Sequence, residues 1–475
     1  MRSMSALPEH GIPAERVLEE LRAMRGADLP THGGRLFAYV YDPGLPGLDE
    51  LAAAAHALSA HVNGLDPTAF PSLLAMENDL VGAAVQVLGG DEHTVGSVTG
   101  GGTESLILAV KAARDAHPEI AAPRLVMPVT AHAALAKAAA YLRIALDTIP
   151  VDPHTLRVDP AAVAAAITPD TVLVACSAPS YAHGLIDPVE PIAAAAAAAG
   201  VRCHVDACFG GWTLPYLRRL GEPIPPFDLS VPGVTSISVD LHKYAYTPKG
   251  VSVLLHRTEA LRAPQYFGYA DWPGYTMVNP VISSTRSGGP IAAAWATLRH
   301  IGDDGYLALA ERTRDATRAI AGAVEKIEDL AVVPRESTVV AFMSTGVDLF
   351  VLADELAARG WHTQPQFRHG EIPPSMHLTV TAAVAPRVAE FEADLAEAVA
   401  AARAHGPVQL PDGILDLLAS AGVDQLAGAL GLGSGGALPE RMAVVNTLLN
   451  VVDPAVRERL LVAFLSLLQR PSPRP

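Results

Sequence analysis

From about Arg124 onward, short runs of β-branched and aliphatic residues alternate with stretches rich in Ala and Leu. Residues 125–129, 171–176, 202–205 and 235–239 read as strands, and residues 131–143, 160–167 and 188–199 between them read as helices. That alternation predicts a mainly parallel sheet covered by helices. After Gly288-Gly289-Pro290 the texture changes to long amphipathic stretches, 291–300 and 305–327, and then to strand-like 338–342 and 377–381. The expected class is therefore α/β, a mainly parallel large domain with a smaller C-terminal α+β domain. A Gly/Pro-marked stretch, 406–413, separates a helical tail containing Gly431 to Gly436, expected to be an appended element with no chemistry of its own. The divisions implied are an N-terminal segment over 1–60, a large domain over 61–300, a small domain over 301–405 and a helical C-terminal extension over 406–475.

A chain of 475 residues is too long for one hydrophobic core, so two lobes with a cleft between them are expected. The formal net charge of −16 argues against a nucleic-acid surface, which needs excess Lys and Arg. An anionic small substrate would have to be attracted locally, by a few cations in a pocket. Cys176, Cys203 and Cys208 fit neither a disulfide framework nor a spaced zinc site, and point to a cytoplasmic protein with no metal. The N-terminus mixes Glu15, Arg16, Glu19 and Glu20 and lacks the order of a signal peptide. Its apolar runs fall far short of the roughly 20 residues a membrane span needs.

Four local features carry chemistry. Thr99-Gly100-Gly101-Gly102-Thr103-Glu104-Ser105 leads into a helical pattern. Free N–H groups at such a start can face an anion such as a phosphate, although the same run also reads as a glycine turn with Thr103 as a plain N-cap. Asp206, in Val205-Asp206-Ala207-Cys208, closes an apolar strand on the edge where such sheets bind ligands, or else caps the next segment. Lys243 follows a buried-type strand that ends Ser238-Val239-Asp240. Desolvation and neighbouring cations would lower its pKa and make it a reactive amine, whereas most lysines are solvated surface charges. His132, in Thr130-Ala131-His132-Ala133, can stack on a planar ligand or simply start a helix.

In this order and spacing the features resemble the pyridoxal 5′-phosphate (PLP)-dependent group II decarboxylase superfamily, and most closely its sphingosine-1-phosphate lyase branch. The resemblance runs from about Gly34 to Val399 and takes in Phe70-Pro71-Ser72, Met76-Glu77, Gly210-Gly211, Asp271-Trp272-Pro273-Gly274, Arg286-Ser287-Gly288-Gly289 and His377-Leu378-Thr379-Val380. It implies a PLP fold-type-I homodimer in which Lys243 holds the cofactor as a Schiff base. His132 would stack on the ring, Asp206 would pair with its pyridinium nitrogen, and Gly102, Thr103 and His242 would contact its phosphate. Within His242-Lys243-Tyr244-Ala245-Tyr246-Thr247-Pro248-Lys249-Gly250, Lys249 matches the lysine that the lyase branch uses to hold the substrate's phosphate, and Tyr41 falls where that branch has a substrate-contacting tyrosine.

The implied reaction is retro-aldol cleavage of a phosphorylated 2-amino-3-hydroxy compound, such as sphinganine 1-phosphate, to an aldehyde and phosphoethanolamine. Three positions depart from the pattern. Ala245 and Thr285 replace glycines, and Asp66 stands where the family has a phosphate-contacting His in N-P-L-H-x-D. A carboxylate at that substrate position would repel a phosphate by about 4 kcal/mol per charge pair at about 4 Å and an effective dielectric near 20. Asp66 thus favours the alternative, an amino-acid decarboxylase on the same scaffold, and Lys249 favours the lyase. A silent PLP-binding protein with a partner-binding tail beyond Gly406 is the third reading, opposed by the intact Lys243, Asp206 and His132.

Overall fold

The computed structural model describes residues 7–275, 277–410, 413–414 and 441–469. Its strands are β1 (Val95–Thr99), β2 (Arg124–Pro128), β3 (Ala145–Ile149), β4 (Thr171–Ser177), β5 (Arg202–Asp206), β6 (Val234–Asp240), β7 (Ser252–His256), β8 (Phe267–Tyr269), β9 (Met277–Asn279), β10 (Leu330–Val332), β11 (Val339–Ser344), β12 (Gln364–Gln366) and β13 (Ser375–Thr379). β1 to β7 form one sheet in the order β1-β7-β6-β5-β4-β2-β3. β3, β2, β4, β5 and β6 pair in parallel, and β7 runs antiparallel to both β6 and β1. Helices cover both faces, so β4 is buried along its whole length and reads as a continuous apolar run, Val172-Leu173-Val174-Ala175-Cys176.

The helices between these strands are Ala133–Leu142, Pro160–Ala166 and Val189–Ala198, within a few residues of the spans the composition predicts. The two amphipathic stretches after Gly288 are one run, Gly288–Glu325, broken at Gly302, whose φ of 67° is a left-handed conformation that favours glycine. Ser287 caps its start by accepting from Gly289 N at 3.3 Å. Beyond it, β10 to β13 form a four-stranded antiparallel sheet in the order β10-β11-β13-β12. Its core is closed by an N-terminal residue, Phe37, packed against Trp361 and Phe391 at ring-centroid distances of 5.8 and 5.1 Å. Such aromatic pairs add about 1 kcal/mol each beyond the area they bury.

Two helices of the C-terminal region, Ala443–Val451 and Pro454–Leu468, dock on the small domain. Buried Asp354 accepts from Met442 N and Ala443 N at 2.9 Å each, and Asn450 Oδ1 accepts from Arg368 N at 2.7 Å. The Gly431 to Gly436 run lies outside the described residues. Among the described residues no helix is long and apolar enough to cross a membrane.

Candidate active site

The carboxyl ends of β4, β5 and β6 bring Ser177, Asp206 and Asp240 to one edge of the large sheet. This is the edge at which open α/β sheets bind ligands. The helix Gly102–Asp115 starts against the same edge, because β1 delivers Thr99 there and Gly100-Gly101 turn the chain. A cavity of about 690 Å³ opens between them, and its walls include Gly102, Thr103, His132, Asp206, His242 and Lys243. The fold thus gathers the expected cofactor residues from well-separated stretches of sequence.

Gly102 is required by packing. A Cβ there would lie 2.8 Å from both Asp240 Oδ1 and Cys208 Sγ, closer than real Cβ contacts. Without a side chain in the way, the first-turn N–H groups, which have no intrahelical partner, stay open to a ligand. His132 starts a helix and also faces the cavity. It is the N-cap of Ala133–Leu142, its Nδ1 accepting from Ala134 N at 3.1 Å, and it also lines the cavity. An accepting Nδ1 leaves the ring proton of the neutral imidazole on Nε2. Asp206 likewise does two things at once: Oδ1 accepts from Cys208 N at 3.1 Å while the side chain, in a residue 7% exposed, borders the cavity.

Lys243 differs from expectation. Burial pulls its ammonium down, but the carboxylates of Asp240 and Asp206 outweigh burial and hold it above its ordinary value. Its Nζ stands 3.0 Å from Asp240 Oδ2, and His242 Nε2 is 3.5 Å from the same oxygen. Asp240 is almost fully buried; burial would raise its pKa, and Lys243 and His242 keep it below the usual carboxylate range instead. The sequence pattern alone gives this central residue no role, and the only signal for it is a strand-terminal Asp three residues before the lysine. Tyr181, Phe209 and Ser177 also line the cavity, with no motif to mark them.

Lys249 and Tyr41 stand together beside this cavity rather than on its wall. Lys249 Nζ donates to Tyr39 O at 2.8 Å and to His242 O at 3.4 Å, and lies 5.0 Å from the centre of the Tyr41 ring. Tyr41 in turn packs edge-on against Tyr244 and Phe209. Burial around the amine, with Lys243 nearby, lowers Lys249 to about 8, although the residue as a whole is exposed. Asp66 is not brought to the group. It is exposed, and its Oδ1 is committed to Thr68 N, Thr68 Oγ1 and Ala69 N at 2.8, 2.6 and 3.3 Å.

The donor set fits a phosphorylated pyridine aldehyde. It offers a lysine amine, a carboxylate at a strand end and an open helix start, together with two buried oxygens that have no hydrogen-bond partner, Ser177 Oγ and Asp240 Oδ1. Among the described residues no cluster of His, Cys, Asp and Glu could hold a metal ion.

Comparison with known proteins agrees. The family model described as pyridoxal-dependent decarboxylase conserved domain matches residues 6–344, and a second, for a C-terminal HTH domain of pyridoxal-dependent enzymes, matches residues 392–467. The sphingosine-1-phosphate lyase of Dictyostelium discoideum is 37% identical over 419 residues, covering 87% of this chain and 78% of that protein. A solved sphingosine-1-phosphate lyase of Burkholderia pseudomallei superposes with a TM-score of 0.80 at 38% identity, over 85% of this chain and 94% of that one. The glutamate decarboxylase of Lactobacillus brevis shares the fold, with a TM-score of 0.74 at 20% identity over 86% of this chain and 96% of that one. With Lys243 on the wall of its cavity and a family model spanning most of its length, the chain belongs to the pyridoxal-dependent decarboxylase family, with sphingosine-1-phosphate lyases among its relatives.

Proposed function

We propose that the chain is a PLP-dependent carbon–carbon lyase that cleaves a phosphorylated 2-amino-3-hydroxy compound, such as sphinganine 1-phosphate, to an aldehyde and phosphoethanolamine. The observation that carries this reading is the Lys249–Tyr41 pair, a compact cation held by backbone carbonyls and a phenol ring six residues beyond Lys243. A lysine of this kind can hold a phosphate as a point charge. Asp66 is exposed and its Oδ1 is tied into its own turn, and none of the contacts of the Lys249 amine within the chain involves it, which weakens the argument for a decarboxylase.

When bound, the cofactor supplies an electron sink that labilises one bond at the substrate's Cα. The chain's residues do the rest. Lys243 links the cofactor and, once its amine is free, moves a proton within the cavity. Asp206 would keep the ring nitrogen protonated, and the His132 imidazole would cover the ring. Gly102 and Thr103 at the helix start, with His242, hold the cofactor phosphate. Lys249 and Tyr41 anchor the substrate's phosphate and so choose the Cα–Cβ bond for cleavage.

Incubating the holoenzyme with sphinganine 1-phosphate tests this: aldehyde and phosphoethanolamine are expected. Release of carbon dioxide from an amino-acid panel, without aldehyde, would sink it in favour of a decarboxylase. Lys249→Ala is expected to raise KM for the phosphorylated substrate roughly 10- to 100-fold, the worth of one charge-assisted hydrogen bond, with a smaller change in kcat. The charged groups around the Lys249 amine are Lys243, Asp240 and His242, with Tyr41 and Tyr39 against it. Its ammonium persists below about 8, so kcat/KM should fall as pH rises through about 8. Lys249→Arg, which keeps its proton, should lose that descending limb.

The proposal includes a homodimer in the cytosol. Helix Ala14–Met24 buries none of its residues, leaving Val17, Leu18, Leu21 and Met24 at 47–49% exposure, and the β8–β9 hairpin exposes Phe267, Tyr269, Trp272 and Tyr275. Apolar surface of that extent is characteristic of an interface. Sedimentation should give the dimer mass, and Leu18→Glu with Leu21→Glu should shift it toward monomer; a wild-type monomer at micromolar concentration refutes the assembly. The three free, buried thiols suit a reducing compartment.

A further inference from the structure

We propose that Gln364 is a positioning residue for the reaction, acting through Tyr181, and that the small domain thereby sets how the cavity recognises a substrate hydroxyl. Tyr181 lines the cavity but is gripped from the small domain on two sides. Its hydroxyl donates to Gln364 Oε1 at 2.7 Å, and its ring stacks on the His377 imidazole with centroids 4.4 Å apart and planes 24° from parallel. Gln364 and His377 are paired residues of neighbouring strands β12 and β13, so one register position of the small sheet supplies both contacts. His377 is itself fixed: Nδ1 donates to Ala182 O at 3.3 Å, and Nε2 accepts from Thr379 Oγ1 at 2.8 Å. Burial pulls this imidazole down to about 4, so it stacks as a neutral ring at ordinary pH.

The consequence for the cavity follows from hydroxyl chemistry. A phenol has one proton to donate and lone pairs to accept with. With the proton committed to Gln364 and Thr379 beside the same oxygen, whatever capacity the hydroxyl keeps is that of an acceptor. A 2-amino-3-hydroxy substrate carries the matching donor, its C3 hydroxyl, and identification of that group rests on the lyase reading above. Gln364 would thus orient an acceptor for the hydroxyl at which cleavage begins, without touching the substrate.

The test uses the holoenzyme with two ligands, sphinganine 1-phosphate and its analogue lacking the C3 hydroxyl, the latter followed by the change in cofactor absorbance on binding. Gln364→Met keeps the shape and removes the acceptor; it should lower kcat/KM for the hydroxylated substrate roughly 5- to 10-fold, the usual worth of one neutral hydrogen bond, and leave the affinity for the deoxy analogue unchanged. Gln364→Glu, which retains an acceptor, should restore kcat/KM to within about twofold of wild type. In a Tyr181→Phe background, Gln364→Met should cause no further loss, since the two act as one unit. Equal losses for both ligands, or no rescue by Glu, would show general distortion and overturn the role. A wild-type enzyme that binds the analogue but releases no aldehyde overturns the lyase reading and the hydroxyl recognition with it. Aldehyde release unaltered in Gln364→Met overturns the role of Gln364 alone.

Discussion

Replacing Lys243 with Ala should abolish the visible absorbance of protein-linked cofactor and cut turnover by at least roughly 10³-fold, because among the described residues no other amine lines the cavity to take over covalent attachment. The substitution has a second, separable effect. Asp240 is 3% exposed, and burial alone would raise its pKa; Lys243 at 3.0 Å, with His242 behind it, holds it down. Removing the lysine leaves a buried carboxylate with the imidazole at 3.5 Å, the Ser252 hydroxyl and the more distant Lys249, a partial compensation for a class of change that costs about 3–5 kcal/mol when none exists. Asp240 should then bind a proton more readily in the folded than in the unfolded chain. The sign comes from linkage: the penalty grows as pH rises through the elevated pKa and shrinks as pH falls below it. Chemical denaturation at several pH values should show that trend, and adding Asp240→Asn to Lys243→Ala should recover most of the lost stability without recovering the cofactor band. If both variants unfold alike at every pH, the Lys243–Asp240 contact is not what holds this corner of the site together.

How much of this site is legible in the chain depends on whether a residue's role is local. Asp206, His132 and Lys243 each sit at a junction between a strand and the next segment, and strand ends announce themselves by periodicity, whereas Gly102 is marked by its glycine run. The alternation from Arg124 onward therefore locates β2, β4, β5 and β6 and the edge they share. β1, β3 and β7 escape it, the last two for evident physical reasons. β3 is an edge strand, mostly exposed or half-buried, so it carries little apolar signal, and β7 follows the Lys243 loop after a reversal of direction that composition does not encode. The pKa of Lys243 runs opposite to its sequence-based expectation because the chain displays the strand that buries the lysine but not the carboxylates the fold turns toward it. Gln364 is beyond reach altogether, since it meets Tyr181 across 183 residues and a domain boundary. Asp66 shows the opposite hazard. Its position in a family pattern places it in the substrate site, whereas its own geometry spends the carboxylate on a local turn with Thr68 and Ala69.

Asp206→Asn should lower kcat by roughly 10²- to 10⁴-fold, with the fold intact, because in the role proposed for this residue its charge and not its shape would serve the chemistry. Its Oδ1 accepts from Cys208 N at 3.1 Å, a bond that an asparagine oxygen can keep, so the turn after β5 survives. What disappears is the carboxylate that would hold a pyridine nitrogen protonated; without that proton the ring withdraws electrons weakly and the bond at Cα stays strong. A second readout does not depend on turnover. Asp206 is one of the carboxylates that keep the Lys243 amine above its ordinary pKa, after Asp240 and against the opposing effect of burial. Covalent capture of the cofactor needs the neutral amine, so its rate rises with pH toward the pKa of Lys243. In Asp206→Asn that pKa falls, and the rising limb of the capture rate should move to lower pH while Asp240 still holds part of the elevation. Stopped-flow mixing of cofactor with apoenzyme across a pH series measures it. A variant that captures cofactor with the wild-type pH profile and turns over at the wild-type rate would remove Asp206 from both roles.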